Sequence, residues 1–213
     1  MKNIIVLSIA VFLFSCDEKP DTTGVSQEIK NRKIRKISDV DILAGAETKG
    51  IRLTLFTQKK ISMKVEEAFN KESFEKAMEY CALSKNTFID SIEKAEFIKI
   101  RRVSMKPRNP ENVPDSTEKT LLEAYHYNII NKISKNPHPP LIQDRTILFT
   151  CPILIETTCL KCHGVPGKDI KEADYKIIKE KYPKDQAVNY RLEELVGMWS
   201  FVMDKKEFIR GMK

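Results

Sequence analysis

The sequence predicts an α+β domain, with long N-terminal helices followed by a small antiparallel sheet and further flanking helices. Three observations carry that reading. From Asp39 to Ala95, apolar residues recur at helical spacing. Beyond Glu96 they fall instead into short runs rich in Ile, Leu, Val, Thr and Phe, with the alternation that suits strands. Helices come first and strands later, around intervening helices, which argues against a parallel sheet built from strand–helix repeats. The 213 residues are 41% hydrophobic and 31% charged, a globular balance. A domain of about 170 residues can build its core without disulfide staples.

Composition narrows the function classes. Seven glycines and ten prolines exclude collagen-like or low-complexity character. Lysine and arginine exceed aspartate and glutamate by 37 − 30 = +7. That excess is spread along the chain, so nucleic acid is not an expected partner, whereas anionic lipid or an acidic protein is.

The first segment reads as an address. Met1-Lys2-Asn3 is a short positive region, and Ile4 to Phe14 is apolar apart from Ser8. The span is too short for a stable membrane helix and has the layout of a secretory leader. Leu13-Phe14-Ser15-Cys16 then resembles the lipobox of bacterial lipoproteins, with Phe14 bulkier than usual. Residues 1–15 are therefore expected to be a lipoprotein signal peptide, with Cys16 lipidated, and an uncleaved anchor is the alternative. Both readings put the remainder outside the cytoplasm, on the periplasmic side of the envelope. Residues 16–38 read as a tether, with Lys30, Arg32, Lys33, Arg35 and Lys36 clustered in its second half. The folded domain is expected over 39–213.

The elements follow in order. Asp39 to about Asn70 reads as one helix and Lys71 to Ala95 as a second, with Phe74, Met78, Cys81, Phe88 and Ile92 on one stripe. Phe97, Ile98, Ile100 and Val103 predict a strand with one wet face over 96–104. Pro107, Pro110 and Pro114 force an irregular loop. Ser116-Thr117-Glu118 opens a helix to about Lys135, and Asn136-Pro137-His138-Pro139-Pro140 breaks it. Leu141–Thr157 reads as two strands, Asp169–Lys181 as a helix and Leu195–Met203 as a last strand.

Cys159-Leu160-Lys161-Cys162-His163 carries the chemistry. Two thiols two residues apart can each add to one vinyl group of a haem, and the adjacent imidazole is then delivered to the iron from one face. A thioredoxin-like pair needs no following histidine and sits in a βαβ pattern, which is not present. A zinc site would have to recruit Cys81 and Cys151, but structural zinc usually takes closely spaced pairs. Export and the motif support each other, so a single covalent haem c is expected. On residues alone, Cys81 stays open between a small buried hydrophobe, a disulfide partner of Cys151 and an iron ligand. Met78, Met105, Met198 and Met203 are rival ligands.

A resemblance covers most of residues 40–204. Its motifs are Ala77-Met78-Glu79-Tyr80-Cys81, then Arg102-Val103-Ser104, then Arg108-Asn109-Pro110-Glu111-Asn112-Val113-Pro114-Asp115 with Glu118. They continue with Cys159 to Gly164, Tyr182-Pro183-Lys184-Asp185-Gln186-Ala187, and Gly197 with Ser200. Together they resemble the bacterial family of exported single-haem c-type domains with a PAS-like fold. The resemblance implies a five-stranded antiparallel sheet and an axial pair of His163 and the Cys81 thiolate. The chain departs from the pattern at Asn189, Glu193 and Val196, where Gly, Gly and a basic residue are expected. Arg101, Arg102 and Arg108 are candidates for the haem propionates, with Arg102 at the matching position and Arg108 second. Arg101 and Arg102 should point to opposite faces of a regular strand.

The expected function is a lipid-anchored envelope haem protein for electron transfer or redox sensing, working with a redox or signalling protein partner. A gas (NO or CO) sensor acting through a partner is the alternative. An enzyme using the iron after Cys81 leaves is a third reading, less expected because no feature marks a substrate pocket.

Overall fold

Ser38 opens the first helix by a reciprocal cap. Its hydroxyl accepts from the Asp41 N–H at 3.2 Å, while the Asp41 carboxylate accepts from the Ser38 N–H. From that start α1 runs Asp39–Lys71 without interruption. The computed structural model describes residues 37–82 and 87–212. The expected leader, Cys16 and nearly all of the tether lie outside them. None of the described helices is long and apolar enough to cross a membrane.

The single helix expected over 71–95 is instead two. Ser73 takes extended backbone and its hydroxyl accepts from the Lys76 N–H at 3.2 Å, starting α2, Phe74–Cys81. A serine that can satisfy an orphan amide favours a helix start over a helix interior. Ala82 is extended again, and α3 spans Thr87–Glu96. Phe74, Met78 and Cys81 therefore share a helix, and Phe88 and Ile92 belong to another.

The strands are β1 Ile98–Val103, β2 Leu141–Ile142, β3 Thr146–Leu154 and β4 Leu195–Asp204, in the order β1-β4-β3-β2 with every pair antiparallel. The sheet has four strands among the described residues, where the resemblance implied five. The expected β2–β3 hairpin is present, though β2 is only two residues long. The remaining elements are α4 Ser116–Ile130, α5 Leu160–His163, α6 Glu172–Lys181 and α7 Lys205–Gly211. The helix α7 is signalled by Asp204, whose carboxylate accepts from the Glu207 N–H at 2.8 Å. That cap follows the last strand directly and is easily missed behind it.

Strand register sorts the two faces. Ile98, Ile100 and Arg102 pair with Met203, Phe201 and Trp199, which pair in turn with Ile147, Phe149 and Cys151. This face packs on α1 through Ile42, Ala46, Leu53 and Ile61. Gly50 allows the close approach, since a Cβ there would stand 2.2 Å from the Phe149 ring. Arg101, Ser200 and Thr150 lie in one row of the opposite face, under α4. There Arg101 pairs at 2.9 Å with Glu118, a buried carboxylate that also accepts from the Asp115 N–H to cap α4. Tyr125, fully buried, anchors α4 by donating to the Thr150 carbonyl at 3.0 Å. Arg101 and Arg102 thus point to opposite faces, as strand alternation requires.

Two of the three departures from the family pattern have a backbone reason. Asn189 and Glu193 both have φ of 65°, in the left-handed region that glycine adopts without cost. Asparagine tolerates that region better than glutamate does. Glu193→Gly should stabilise the fold by up to about 1 kcal/mol, less whatever its exposed pair with Lys135 contributes. Asn189→Gly should change little, and denaturant unfolding of the two variants checks both.

Candidate cofactor site

Cys81, Cys159, Cys162 and His163 come together at one cavity of about 560 Å³, between the C-terminal half of α1, the α2 helix and the ends of β1 and β3. Its walls are largely apolar: Ile61 and Val65 from α1, Met78 from α2, Ile100 from β1, Ile153 from β3. The volume suits a small-molecule or cofactor site.

The motif residues stand on a tight local coil. A 3-10 turn over Thr157–Cys159 continues into α5, so Cys159, Cys162 and His163 are presented from one and a half turns of backbone. The chain leaves at Gly164, where a Cβ would meet Asp169 and the Leu160 carbonyl below 3 Å. The His163 Nδ1 lies 2.8 Å from the Ala187 carbonyl, which can only accept, so Nδ1 carries the proton. That leaves the Nε2 lone pair as the ring's ligating nitrogen. Tyr190 holds the ring edge-on at 6.5 Å.

Cys81 faces this group from the end of α2. Arg102 donates to the Cys81 carbonyl and places Nη1 3.7 Å from its sulfur. Burial pushes the Cys81 thiol up, but the Arg102 charge beside it is the largest influence in the other direction, and the pKa comes down to about 6. The Arg102 guanidinium, 3.7 Å from the sulfur, favours the thiolate form of Cys81. The two motif cysteines behave oppositely, because burial pushes both thiols up, Cys162 to about 12.

The open alternatives for Cys81 separate here. The four described cysteines are free, and the Cys151 thiol donates toward the Pro152 carbonyl at 3.8 Å rather than toward Cys81. No Cys81–Cys151 disulfide forms. Among the described residues no cluster of three or more His, Cys, Asp or Glu side chains has metal-binding geometry of its own, so the zinc constellation is not assembled. Of the four methionines considered as ligands, only Met78 lines the cavity. Met198 lies on the α4 face, Met203 is in the main core and Met105 is half exposed. His126 is exposed, and His138 stacks on Tyr125 at 4.3 Å, away from the cavity.

Both candidate arginines have protein partners. Arg102 bridges Cys81 and the Trp199 ring, with Cζ 5.4 Å from the ring centroid. Arg108 is a strut rather than a free guanidinium. It pairs with Asp185 at 3.2 Å and donates to the Cys162 carbonyl at 2.6 Å and the Ala187 carbonyl at 3.2 Å. Asp185 is fully buried and also accepts from the Ala187 N–H at 2.9 Å. One ion pair thus fixes the end of α5 and the carbonyl that orients His163. Arg108→Gln leaves the Asp185 charge buried and unpaired, so it should destabilise the fold by about 3–5 kcal/mol in denaturant unfolding. Nothing in the spacing marks Asp185 as the counter-ion, 77 residues from Arg108.

A helix-flanked antiparallel sheet with a Cys-x-x-Cys-His coil and a facing cysteine over one apolar cavity defines the class of α+β domain to which the chain belongs. The chain belongs to the Tll0287-like family, whose model matches residues 26–203. The crystal structure of the cyanobacterial heme-protein Tll0287 is similar, with a TM-score of 0.53 at 19% identity. The match covers 74% of this chain and 96% of that one. No curated protein is significantly similar in sequence.

Proposed function

We propose that this chain is an envelope c-type haem protein holding one haem covalently through Cys159 and Cys162, with His163 and Cys81 as axial ligands, for electron transfer or redox sensing. The observation that carries this is the convergence of those four side chains, from segments 78 residues apart or more, on one apolar cavity. Membership of a family that includes a cyanobacterial heme-protein supports it.

The residues fit the group. Nδ1 of His163 is committed to Ala187, so Nε2 is the nitrogen available to iron. Cys159 and Cys162 border the same cavity, and each S–H would add across one vinyl double bond with no atom lost. Ile61, Val65 and Ile100 supply the apolar walls a porphyrin face needs. When bound, the haem supplies one-electron Fe(III)/Fe(II) chemistry. Arg108 and Asp185 hold the histidine's orientation, and Arg102 holds Cys81. With His163 and Cys81 both holding the iron, no position would be left for an external ligand, which favours electron transfer over ligand turnover. Absorption spectra of the exported protein, oxidised, reduced and with CO added, test the reading. A six-coordinate low-spin ferric haem that takes up CO slowly supports it, and a chain without haem absorbance contradicts it.

The same reading places the domain at the periplasmic side of the envelope, tied to the membrane by lipid on Cys16. A mature chain with Cys16→Ser, exported behind an ordinary cleavable leader, should shift from the membrane to the soluble fraction, because the acyl chains supply most of the affinity. Retention after a high-salt wash would instead mean an uncleaved anchor or a bound partner.

A further inference from the structure

The outward face of α1 is apolar and basic where an exposed helix face is ordinarily polar. Opposite the core stripe stand Ile51, Leu55, Phe56 and Met63, with Leu55 67% and Met63 57% exposed. Between them lie Arg52, Lys59, Lys60 and Lys64, all exposed. From Lys49 to Val65 the helix carries five cations and no carboxylate. Lys49 and Arg52 pair with Glu96 of α3, so Lys59, Lys60 and Lys64 supply the charge of this face. Lys60 reaches over the Phe56 ring at 5.8 Å, so charge and apolar surface are interleaved.

We infer that this face rests on an anionic lipid surface. Cations rimming large exposed apolar side chains on one helix is the pattern of an interfacial helix, whose side chains enter the acyl boundary while lysines meet the headgroups. Self-pairing of the face is disfavoured by charge: an isologous contact sets the same patch against itself, and no carboxylate within it neutralises the facing lysines. The position in the chain agrees, because α1 begins three residues after the basic cluster Lys30–Lys36. The inference rests on the envelope reading and adds an orientation to it. Ile61 and Val65, on the inner side of the same helix, line the cavity, so the cavity lies one helix diameter, about 10–12 Å, from the contacting face. Electron exchange with a membrane-embedded partner then needs no large approach.

The test uses the mature chain with Cys16→Ser, which carries no lipid of its own, sedimented with vesicles of phosphatidylcholine alone or of equal parts phosphatidylcholine and phosphatidylglycerol. Binding to the anionic vesicles should be at least about tenfold stronger than to the neutral ones. Lys59→Gln with Lys60→Gln should weaken it by about tenfold. Leu55→Ser with Phe56→Ser should do so to a similar degree, about tenfold. Circular dichroism and haem absorbance should stay unchanged, since all four side chains face solvent. Equal binding to both vesicles, no binding to either, or α1 variants that bind like the parent while Gln at Lys30, Arg32, Lys33, Arg35 and Lys36 abolishes binding would each overturn it. Failure of lipidation itself is read separately, from the mass of the unaltered mature chain at Cys16.

Discussion

A chain carrying Cys159→Ala and Cys162→Ala together should leave acid-acetone extraction without haem, whereas the parent keeps its haem in the protein fraction. The two thiols are the covalent bonds in this account, and each is a small partly buried group on a short coil. Removing both should cost little fold stability, since Cys159 and Cys162 pack only at the margins of two minor apolar clusters. Each single variant should retain haem through one thioether. Haem that survives extraction in the double variant would mean that another residue forms the bond.

Cys81→Ala should have the second largest effect, on the iron rather than on attachment. On the proposed ligation the variant removes an anionic ligand, a thiolate that the Arg102 charge favours. Loss of that charge destabilises Fe(III) more than Fe(II), so the reduction potential should rise by on the order of 0.1–0.3 V within the roughly 0.8 V that axial ligands span. The ferric spectrum should change from low-spin to one with water or an external ligand bound, and CO should bind the reduced form quickly. An unchanged ferric spectrum would remove Cys81 from the iron and direct attention to Met78, the methionine at the same cavity. Rapid CO or NO binding by the parent, with release of the thiolate, would favour the gas sensor over electron transfer.

Much of this was legible in the sequence, for reasons that can be named. The long α1, the β1 alternation and the Cys-x-x-Cys-His coil are local patterns, written in consecutive residues. The break after Cys81 is not legible in the periodicity, because the stripe's steps of four, three, seven and four run from Phe74 through Cys81 to Phe88 and Ile92 without a gap. Periodicity says nothing of the Arg108–Asp185 strut or of the Ala187 carbonyl behind His163, because both depend on a loop returning from far along the chain. The pairing of Arg108, a candidate for the haem propionates, meets the same limit: a guanidinium's protein partners are set by tertiary folding, and Asp185 is not marked by spacing. The resemblance pointed to glycine at 189 and 193, and the left-handed backbone at both supplies the reason. Its fifth strand has no counterpart among the described residues.

The intact mass of the exported chain tests the central claim most directly. Addition of a thiol across a vinyl bond loses no atoms, so the account predicts the mass of the mature chain plus one haem, retained under denaturing conditions and absent from the Cys159→Ala, Cys162→Ala chain. A mass equal to the polypeptide with its lipid alone, from cells that attach haem to other exported proteins, would contradict it.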